Sequence, residues 1–253
     1  MKPSNDSPFK SVSGKPTNAE IKLVISLKQK KYRDLHSLFV IEGEKLLDEA
    51  TKSGVEIIKT ILRDEVGETL MARLSSMASP PPVLAVAKAS LLAAWSGQLE
   101  AGQLYLGLDR VSDPGNLGTI IRLAEWFGVR VVFLGPFCAE PYNPKVIQAS
   151  MGSLFRVRLV QIELKSLLHN ASKQGIPSFG AVLGGLNIYK TNLQNGGLLL
   201  MGNESHGLAP ELIELVDCHL SIPSFAASNQ IDSLNVATAT AVMCAEFRRQ
   251  NNL

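Results

Sequence analysis

Short apolar runs alternate with segments of helical periodicity from Leu104 to the end of the chain. The apolar runs predict strands at 104–108, 131–134, 179–183, 198–201 and 218–222. Helices are predicted between or after them, over 116–127, 144–151, 163–173 and 235–249, with a short one from Pro210. Apolar strands that are separated by helices are typical of a parallel sheet covered on both faces. This pattern therefore favours a parallel α/β fold class.

The N-terminal part shows the same alternation on a smaller scale and predicts a separate α/β domain. Residues 1–16 are rich in Pro, Ser, Gly, Asn and Lys and are expected to be a flexible tail. Structure is predicted to begin at Thr17, because Thr17 and Glu20 have the spacing of a capping box. A small α/β sandwich follows over 17–88, and 89–103 is expected to be a helical linker. The larger domain then occupies 104–253.

Composition argues against several classes of protein. Hydrophobic residues at 45% and charged residues at 19% are ordinary for a globular chain, and a net charge of +2 does not identify a nucleic-acid binder. The polar first residues lack the apolar stretch of a secretory signal, and no apolar run approaches the ~18 residues of a membrane span. The 3 cysteines and 4 histidines have no metal-binding spacing. We expect a soluble, cytoplasmic protein without a metal or a membrane partner.

A run of positive charge near the N-terminus has two interpretations. Five basic residues and no acidic residue lie between Lys22 and Arg33. The ordinary explanation is a solvated helix face. The alternative is a surface that contacts nucleic-acid phosphates, and its candidate residues are Lys28, Lys30, Lys31 and Arg33.

Three segments place glycine and polar residues after predicted strands, where open α/β sheets bind ligands. The first, 108–122, runs from a strand through a Pro-Gly turn into a helix that carries Asn116 and Arg122. Asn116 lies at the expected position of a helix N-cap. Arg122 lies on an otherwise apolar helix, where an arginine needs an anionic partner such as phosphate. A capping Asn and a surface Arg are the ordinary alternative.

The other two segments lie nearer the C-terminus. In 198–208 an apolar strand leads into a loop in which Gly202 permits close approach of a ligand and Glu204 adds a charge. A plain turn between strand and helix explains this segment equally well. In 220–237, Ser233 or Asn235 could cap a final helix rich in small residues. The motifs of a dinucleotide site, a P-loop and a G-x-S-x-G hydrolase are all missing from the sequence.

Taken in order, these segments resemble the three motifs of the SpoU family. The first pattern is D-x-x-x-D-P-x-N-x-G-x-x-x-R-x-A-x-x-x-G from Asp109, the second is G-N-E-x-x-G-L from Gly202, and the third joins I-P at Ile222 to S-L-N-V-A-x-A from Ser233. SpoU proteins are S-adenosylmethionine-dependent RNA ribose 2′-O-methyltransferases of the SPOUT class, and the resemblance covers about 104–249. The run K-x-x-R-x-x-x-x-x-F-V-I-E-G-x-K-L-L-x-E-A from Lys30 resembles the RNA substrate-binding domain often fused to these enzymes, which is similar to a small ribosomal protein.

The resemblance implies a fold and a chemistry that periodicity does not reveal. The catalytic domain would be a SPOUT-type parallel sheet with a deep trefoil knot. It would work as a homodimer, with its two active sites near the subunit interface. The cofactor would be S-adenosylmethionine, and the substrate would be large-subunit rRNA of the 23S type. A tRNA substrate and a non-catalytic role in RNA binding or ribosome assembly are the alternatives.

Motif position also assigns roles to individual residues, as implied by the resemblance. The catalytic residues would be Asn116, Arg122, Glu204, Ser233 and Asn235. The cofactor-binding residues would be Met201, Gly202, Asn203, Ile222 and Leu234. Arg122 would hold the target phosphate and ribose hydroxyl, since a guanidinium with a pKa above ~12 is a poor base. His206 is expected to be an exposed loop residue without catalytic duty.

Overall fold

Two sheets organise the chain in the computed structural model, which describes residue 9 and residues 14–225 and 233–252. Strands β1 (Leu38–Glu42), β2 (Ile57–Leu62) and β3 (Val83–Lys88) form the smaller, antiparallel sheet in the order β1-β3-β2. Its helices are α1 (Asn18–Ser26), α2 (Lys30–His36), α3 (Glu44–Lys52), α4 (Arg63–Val66) and α5 (Glu68–Leu74). The predicted N-terminal α/β domain is therefore present.

The start of α1 follows directly from its sequence. The Thr17 hydroxyl accepts a hydrogen bond from the Glu20 amide (3.3 Å), and the Glu20 carboxylate accepts one from the Thr17 amide (2.6 Å). Two amide groups that the first helical turn would otherwise leave unpaired are thus satisfied. The predicted capping box is confirmed.

The larger sheet is parallel throughout. Its strands are β4 (Leu104–Leu108), β5 (Val132–Leu134), β6 (Leu159–Gln161), β7 (Ser178–Asn187), β8 (Gly197–Met201) and β9 (Cys218–Ser221), in the order β6-β5-β4-β8-β7-β9. Its helices are α6 (Pro114–Trp126), α7 (Pro144–Ser150), α8 (Leu164–Lys173), α9 (Pro210–Ile213) and α10 (Val236–Asn252), with 3₁₀ turns at Ser153–Phe155 and Ile188–Lys190. Every residue of β4 and β8 is buried, which explains why these strands are apolar throughout. The predicted parallel α/β class is confirmed.

Residues 89–103 do not form the helical linker that their composition predicts. They cross the larger domain as an extended strap: the Ala93 amide donates to the Leu159 carbonyl (2.8 Å), and Leu92 bridges Leu159 in parallel. From Leu91 to Leu99 the odd-numbered residues are buried or half-buried and the even-numbered ones are exposed. A period of two is that of an extended chain. The strap covers the edge of the sheet beside β6, so tertiary packing overrides the helix preference of its Ala and Leu residues.

The two domains share buried contacts. The ring of Phe39 in β1 lies 5.2 Å from that of Tyr142 in the larger domain, and both belong to one hydrophobic cluster. Beside them, the side-chain amide of Gln148 in α7 donates to the Glu42 carbonyl (3.0 Å). These contacts hold the N-terminal domain against the face of the sheet that carries α6 and α7.

The trefoil knot stays a prediction. Strand β7 lies between β8 and β9 in the sheet, so the chain crosses β7 on its way from β8 to β9. Strand β9 ends at Ser221 and α10 begins at Val236, and residues 226–232 between them lie outside the described residues. The third motif segment therefore reaches the start of α10 by a connection that is described only at its two ends.

Candidate active site

The first motif forms the N-terminal end of α6. Asp113, and not Asn116, is the N-cap: its carboxylate accepts a hydrogen bond from the Asn116 amide (2.8 Å), and Pro114 occupies the first helical turn. The predicted N-cap position of Asn116 is wrong, because Asp-Pro already supplies the capping oxygen and a helix-compatible φ angle. Asn116 lies inside the first turn, where its side chain is free to contact other segments.

The second motif forms a tight loop between β8 and α9. The main chains of Asn203 and Gly207 bond to each other in both directions, at 3.0 and 2.9 Å. The side chain of Asn203 accepts a hydrogen bond from the Ser205 amide (2.9 Å) and donates one to the Arg110 carbonyl (2.9 Å). The Asn203 amide group therefore shapes the loop and ties it to the end of β4.

Gly202 leaves this loop no room for a side chain. A Cβ atom at this position would overlap the main chain of Gly207 and Leu208. The close approach that Gly202 permits is thus between two parts of the loop itself, rather than between the loop and a ligand. Glycine acts here indirectly, because it allows the loop that lines the cavity to close.

Asp109 anchors the same loop. It had no predicted role beyond its position at the start of the first motif. Its buried carboxylate follows β4 directly, accepting hydrogen bonds from the Ala209 amide (2.8 Å) and the Arg110 guanidinium (3.0 Å). The hydrogen bond to Asp109 raises the pKa of Arg110 above its ordinary value. An acidic residue at the carboxyl end of a buried strand was the available signal.

Side chains of all three motifs meet in one hydrogen-bonded chain. The Asn116 amide nitrogen donates to the Glu204 carboxylate (2.6 Å), and the Asn235 amide nitrogen donates to the Asn116 carbonyl oxygen (3.0 Å). The Asn235 oxygen in turn accepts from the Ala237 amide (2.9 Å), so Asn235 also caps α10. Asn235 therefore both caps α10 and belongs to the candidate site. Through its bond to Asn116, two residues that are 119 positions apart in sequence become neighbours.

A cavity of about 1060 Å³ opens beside this chain of side chains. The predicted cofactor-binding residues Met201, Gly202, Asn203, Ile222 and Leu234 all line it. Glu204 and Ser233 line it as well, whereas Asn116 and Asn235 support it from outside. Its remaining wall includes residues 181–184 of β7, which the sequence did not single out. The Gly184-Gly185 pair is the sequence signal that could have indicated this wall, since glycine inside a strand often marks a close approach of another segment. A Cβ at Gly185 would lie 2.8 Å from the His219 main chain.

Arg122 does not join these side chains. It is exposed on α6 and lines a second cavity of about 230 Å³, which shares no lining residue with the first. Among the residues that the structure describes, its guanidinium has neither a hydrogen bond nor an ion pair. In a single chain, Arg122 and Glu204 thus belong to two different openings.

Comparison with known proteins identifies the family. The model of the SpoU rRNA methylase family matches residues 103–245, and that of the MRM3-like substrate-binding domain matches 18–96. The 23S rRNA (guanosine(2553)-2′-O)-methyltransferase of Bacillus subtilis is 30% identical over 247 residues, which are 91% of this chain and 96% of that protein. The chain belongs to the SpoU rRNA methylase family. The predicted combination of a SpoU domain with an N-terminal substrate-binding domain is confirmed.

Solved structures of SpoU relatives have the same architecture. A protein of the TrmH family from Porphyromonas gingivalis is 33% identical, with a TM-score of 0.83 over 94% of this chain and 100% of that one. An AdoMet-bound rRNA methyltransferase from Sinorhizobium meliloti is 28% identical, with a TM-score of 0.83 over 93% of this chain and 96% of that one. These likenesses confirm the predicted SPOUT-type sheet together with its N-terminal α/β domain.

The basic run of this SpoU protein divides into residues of different kinds. Arg33 is buried, pairing with Glu140 of the larger domain and donating to the Leu27 and Lys28 carbonyls (2.8 and 2.9 Å). The structure therefore argues against the predicted contact of Arg33 with RNA, because its charge already joins the two domains. Lys28 donates to the Ser75 carbonyl (2.6 Å) at the end of α5.

Lys30 and Lys31 remain candidates for RNA contact, since both are exposed. Lys30 pairs with Asp34 one turn along α2 (2.5 Å), and the Lys31 amine lies 4.6 Å from the centre of the Tyr32 ring. Exposed pairs of this kind bind weakly and can release the lysine to another anion. His206 is exposed in the loop after β8, as predicted, and its ring lies 3.2 Å from the Asn203 side-chain oxygen.

The described part of this SpoU protein has neither a membrane-spanning helix nor a metal-binding cluster. No helix there is long and apolar enough to cross a membrane. No group of three or more His, Cys, Asp or Glu side chains there is arranged to hold a metal ion. Burial raises the pKa of Cys138 to about 11 and that of Cys244 to about 12, so both thiols stay protonated at neutral pH.

Proposed function

We propose that the protein transfers a methyl group from S-adenosylmethionine to the 2′-hydroxyl of a ribose in large-subunit rRNA of the 23S type. The observation that carries this proposal is the convergence of Asn116, Glu204 and Asn235, one side chain from each motif, beside the loop-lined cavity. Membership of the SpoU family supplies the class of reaction.

The cavity suits S-adenosylmethionine in size and lining. Its volume of about 1060 Å³ lies just above the usual range for small-molecule sites, ~300–1,000 Å³, so a ligand as large as S-adenosylmethionine fits. The tight turn at Gly202 forms one part of the wall, and the apolar residues Met201, Ile222 and Leu234 line the same cavity. The AdoMet-bound structure of the Sinorhizobium meliloti relative supports the same cofactor. When bound, S-adenosylmethionine supplies an electrophilic methyl group on its sulfonium.

The chain of side chains holds the wall of this cavity in place. Because Asn116 donates to Glu204 and accepts from Asn235, it joins α6, the loop after β8 and the start of α10. Glu204 and Ser233 reach the cavity itself and are the groups that would position the ribose. Orientation of this kind contributes up to ~7–11 kcal/mol to catalysis when the reacting atoms are aligned.

Arg122 supplies the positive charge that this reaction needs. When the hydroxyl oxygen accepts the methyl group, its proton is released to solvent and the demethylated cofactor is left, and a fixed cation stabilises the negative charge that develops on the oxygen. A guanidinium retains its proton at neutral pH, so Arg122 would bind the target phosphate and the hydroxyl rather than act as a base. Its lack of a partner among the described residues leaves it available for this role.

The active enzyme would be a homodimer in which Arg122 of one subunit completes the site of the other. Arg122 and Glu204 line separate cavities in one chain, yet their motif positions assign both to one reaction. A twofold axis beside α6 would bring each Arg122 to the opposite cavity, because in such a dimer the same surface faces itself.

The choice of rRNA over tRNA rests on the N-terminal domain. The Bacillus subtilis relative, named as a 23S rRNA methyltransferase, matches over both domains of this chain. The substrate would be met in the cytoplasm, where rRNA is assembled. Domain boundaries at residues 17–88, 89–103 and 104–253 remain part of the proposal, since the family models match 18–96 and 103–245.

Mapping of ribose methylation tests the proposed function. Ribosomal and transfer RNA from cells with and without the gene would be compared for positions that resist alkaline cleavage, since 2′-O-methylation blocks that reaction. We expect one position in large-subunit rRNA to lose its protection and to regain it when purified enzyme and S-adenosylmethionine are added. Loss of protection confined to tRNA would assign the alternative substrate, and unchanged maps would support a non-catalytic role.

A further inference from the structure

The second cavity lies where the N-terminal domain meets α6. Its lining combines Lys45 of α3 with Arg122, Glu125 and Trp126 of α6 and with Arg156. Lys45 belongs to the run that resembles a substrate-binding domain, whereas Arg122 belongs to the first SpoU motif. The two parts of the protein thus contribute to one opening of about 230 Å³.

The charges around this cavity are only partly balanced. Arg156 pairs with Glu125 of α6 and with Glu49 of α3. The hydrogen bond from Arg156 lowers the pKa of Glu125, so this carboxylate stays ionised at neutral pH. With Lys45 and Arg122 included, three cations stand against two carboxylates, which leaves an excess of one positive charge. Within the described residues, neither Lys45 nor Arg122 forms an ion pair or a hydrogen bond.

The position of Lys45 on its helix adds to this imbalance. It is the second residue of α3, and the N-cap Gly43 has no side chain to accept the free amide groups of the first turn. The positive end of the helix dipole disfavours a cation there and favours an anion. A lysine at a helix N-terminus that lines one cavity with an arginine of another domain is stabilised when a phosphate binds.

An aromatic surface adjoins the two cations. The Trp126 side chain lines the same cavity and is 83% exposed. Nucleobases stack on exposed indole rings, while the phosphate of the same nucleotide is held by nearby cations. The cavity therefore offers the groups that one unpaired nucleotide needs.

We propose that Lys45 and Arg122 together bind one phosphate of the substrate RNA, and that Trp126 stacks on an adjacent base. This inference rests on the proposed function, in that the substrate is RNA. It gives the N-terminal domain a direct part in placing the target nucleotide, in addition to any contact by Lys30 or Lys31. Lys45 is then a substrate-binding residue.

Salt-dependent RNA binding by the full-length protein tests the phosphate contact. The probe is large-subunit rRNA from cells that lack the gene, and the variant is Lys45→Ala. Lys52→Ala is the matched control, because Lys52 lies on the same helix, paired with Asp48 at 2.6 Å. Each lost phosphate contact lowers the log–log salt slope by ~0.7–0.9. The ratio of wild-type to Lys45→Ala affinity should therefore fall about 3-fold between ~50 and ~200 mM salt.

Three further variants separate charge from packing. Lys45→Arg should keep the wild-type slope, because it keeps the positive charge. Trp126→Ala should weaken binding by about 5-fold or more at every salt concentration, since stacking involves no counterion release. Arg122→Ala combined with Lys45→Ala should weaken binding by a factor that differs from the product of the single effects, because residues that share one ligand are coupled.

Several results would overturn the proposal. Lys45→Ala could match Lys52→Ala in slope, or it could alter the mass of the dimer without altering the slope, in which case the cavity is a subunit contact. Cofactor affinity that fell with Lys45→Ala would also contradict it, because the cofactor cavity shares no residue with this one. The binding assay requires no methyl transfer. Failure to methylate rRNA would therefore count against the proposed function alone.

Discussion

Arg122 and Glu204 line separate cavities in one chain, and this separation predicts how two damaged subunits should complement each other. Asn116, which contacts Glu204, and Arg122 are six residues apart on α6, so they point about 120° apart and differ by ~9 Å along the axis. The Asn116 and Arg122 side chains would therefore contact different neighbouring segments or chains. If the partner chain receives Arg122, every active site combines the Glu204 of one subunit with the Arg122 of the other.

The perturbation is a heterodimer with Arg122→Ala in one subunit and Glu204→Ala in the other, isolated through two different affinity tags. Each variant as a homodimer should lose a factor of ~10²–10³ in turnover, the usual effect of losing one preorganised electrostatic group. In the heterodimer, one site contains both native residues and the other contains both substitutions. Turnover should therefore return to roughly half of the wild-type value. Single-turnover methyl transfer to the mapped rRNA is the assay.

A second heterodimer has the same composition and the opposite expectation. One subunit carries both substitutions and the other is wild type, so sharing across the interface leaves each site with one damaged residue. Its turnover should stay as low as that of the variant homodimers. Half activity in this second heterodimer, with none in the first, would refute the shared site and place Arg122 and Glu204 in the same subunit's reaction.

Three smaller predictions concern the loop, the domain contact and the buried thiol. Gly202→Ala should weaken S-adenosylmethionine binding by more than ~10-fold in calorimetry, because the loop cannot close around a Cβ. Ser172→Ala, at an exposed position of α8 outside the cavity lining, should bind normally. Glu140→Ala should lower the free energy of unfolding in urea by about 3 kcal/mol, because it leaves the buried Arg33 without its partner. Cys244 is fully buried and its pKa is raised to about 12, so it should resist alkylation in the folded protein at pH 8 and react only after unfolding.

The strands of the larger domain could be predicted because a strand that is buried on both faces has an unbroken run of apolar residues in the sequence. Strands β4 and β8 are apolar at every position, as a doubly covered parallel strand must be. The edge strand β6 was missed, since only two of its three residues are apolar and no apolar run marks it in the sequence. The strap over 89–103 was predicted wrongly because its Ala and Leu residues favour a helix when tertiary contacts are not considered. Only the exposed edge of β6 selects the extended form.

The site could be predicted as segments but not as contacts. The glycines and amides of the motifs are visible in the sequence, yet the link from Glu204 through Asn116 to Asn235 depends on three separate turns. Gly118 illustrates the same limit: a Cβ there would lie 2.6 Å from that of Ala149, so this motif glycine serves the crossing of α6 and α7. Spacing alone does not distinguish a glycine that packs a helix from one that lines a cavity.

The basic residues of the N-terminal domain show why a cluster of charges in the sequence does not by itself identify an RNA-binding site. Arg33 stands in the densest basic run, yet Glu140 and two carbonyls use its guanidinium within the protein. Lys45 has acidic and apolar neighbours in sequence, yet it shares a cavity with Arg122 and lacks a partner among the described residues. A cation that is already paired stabilises the fold, whereas one left unpaired beside another cation favours an external anion. The pairing of each charge, rather than the density of charges along the chain, therefore indicates where RNA should bind.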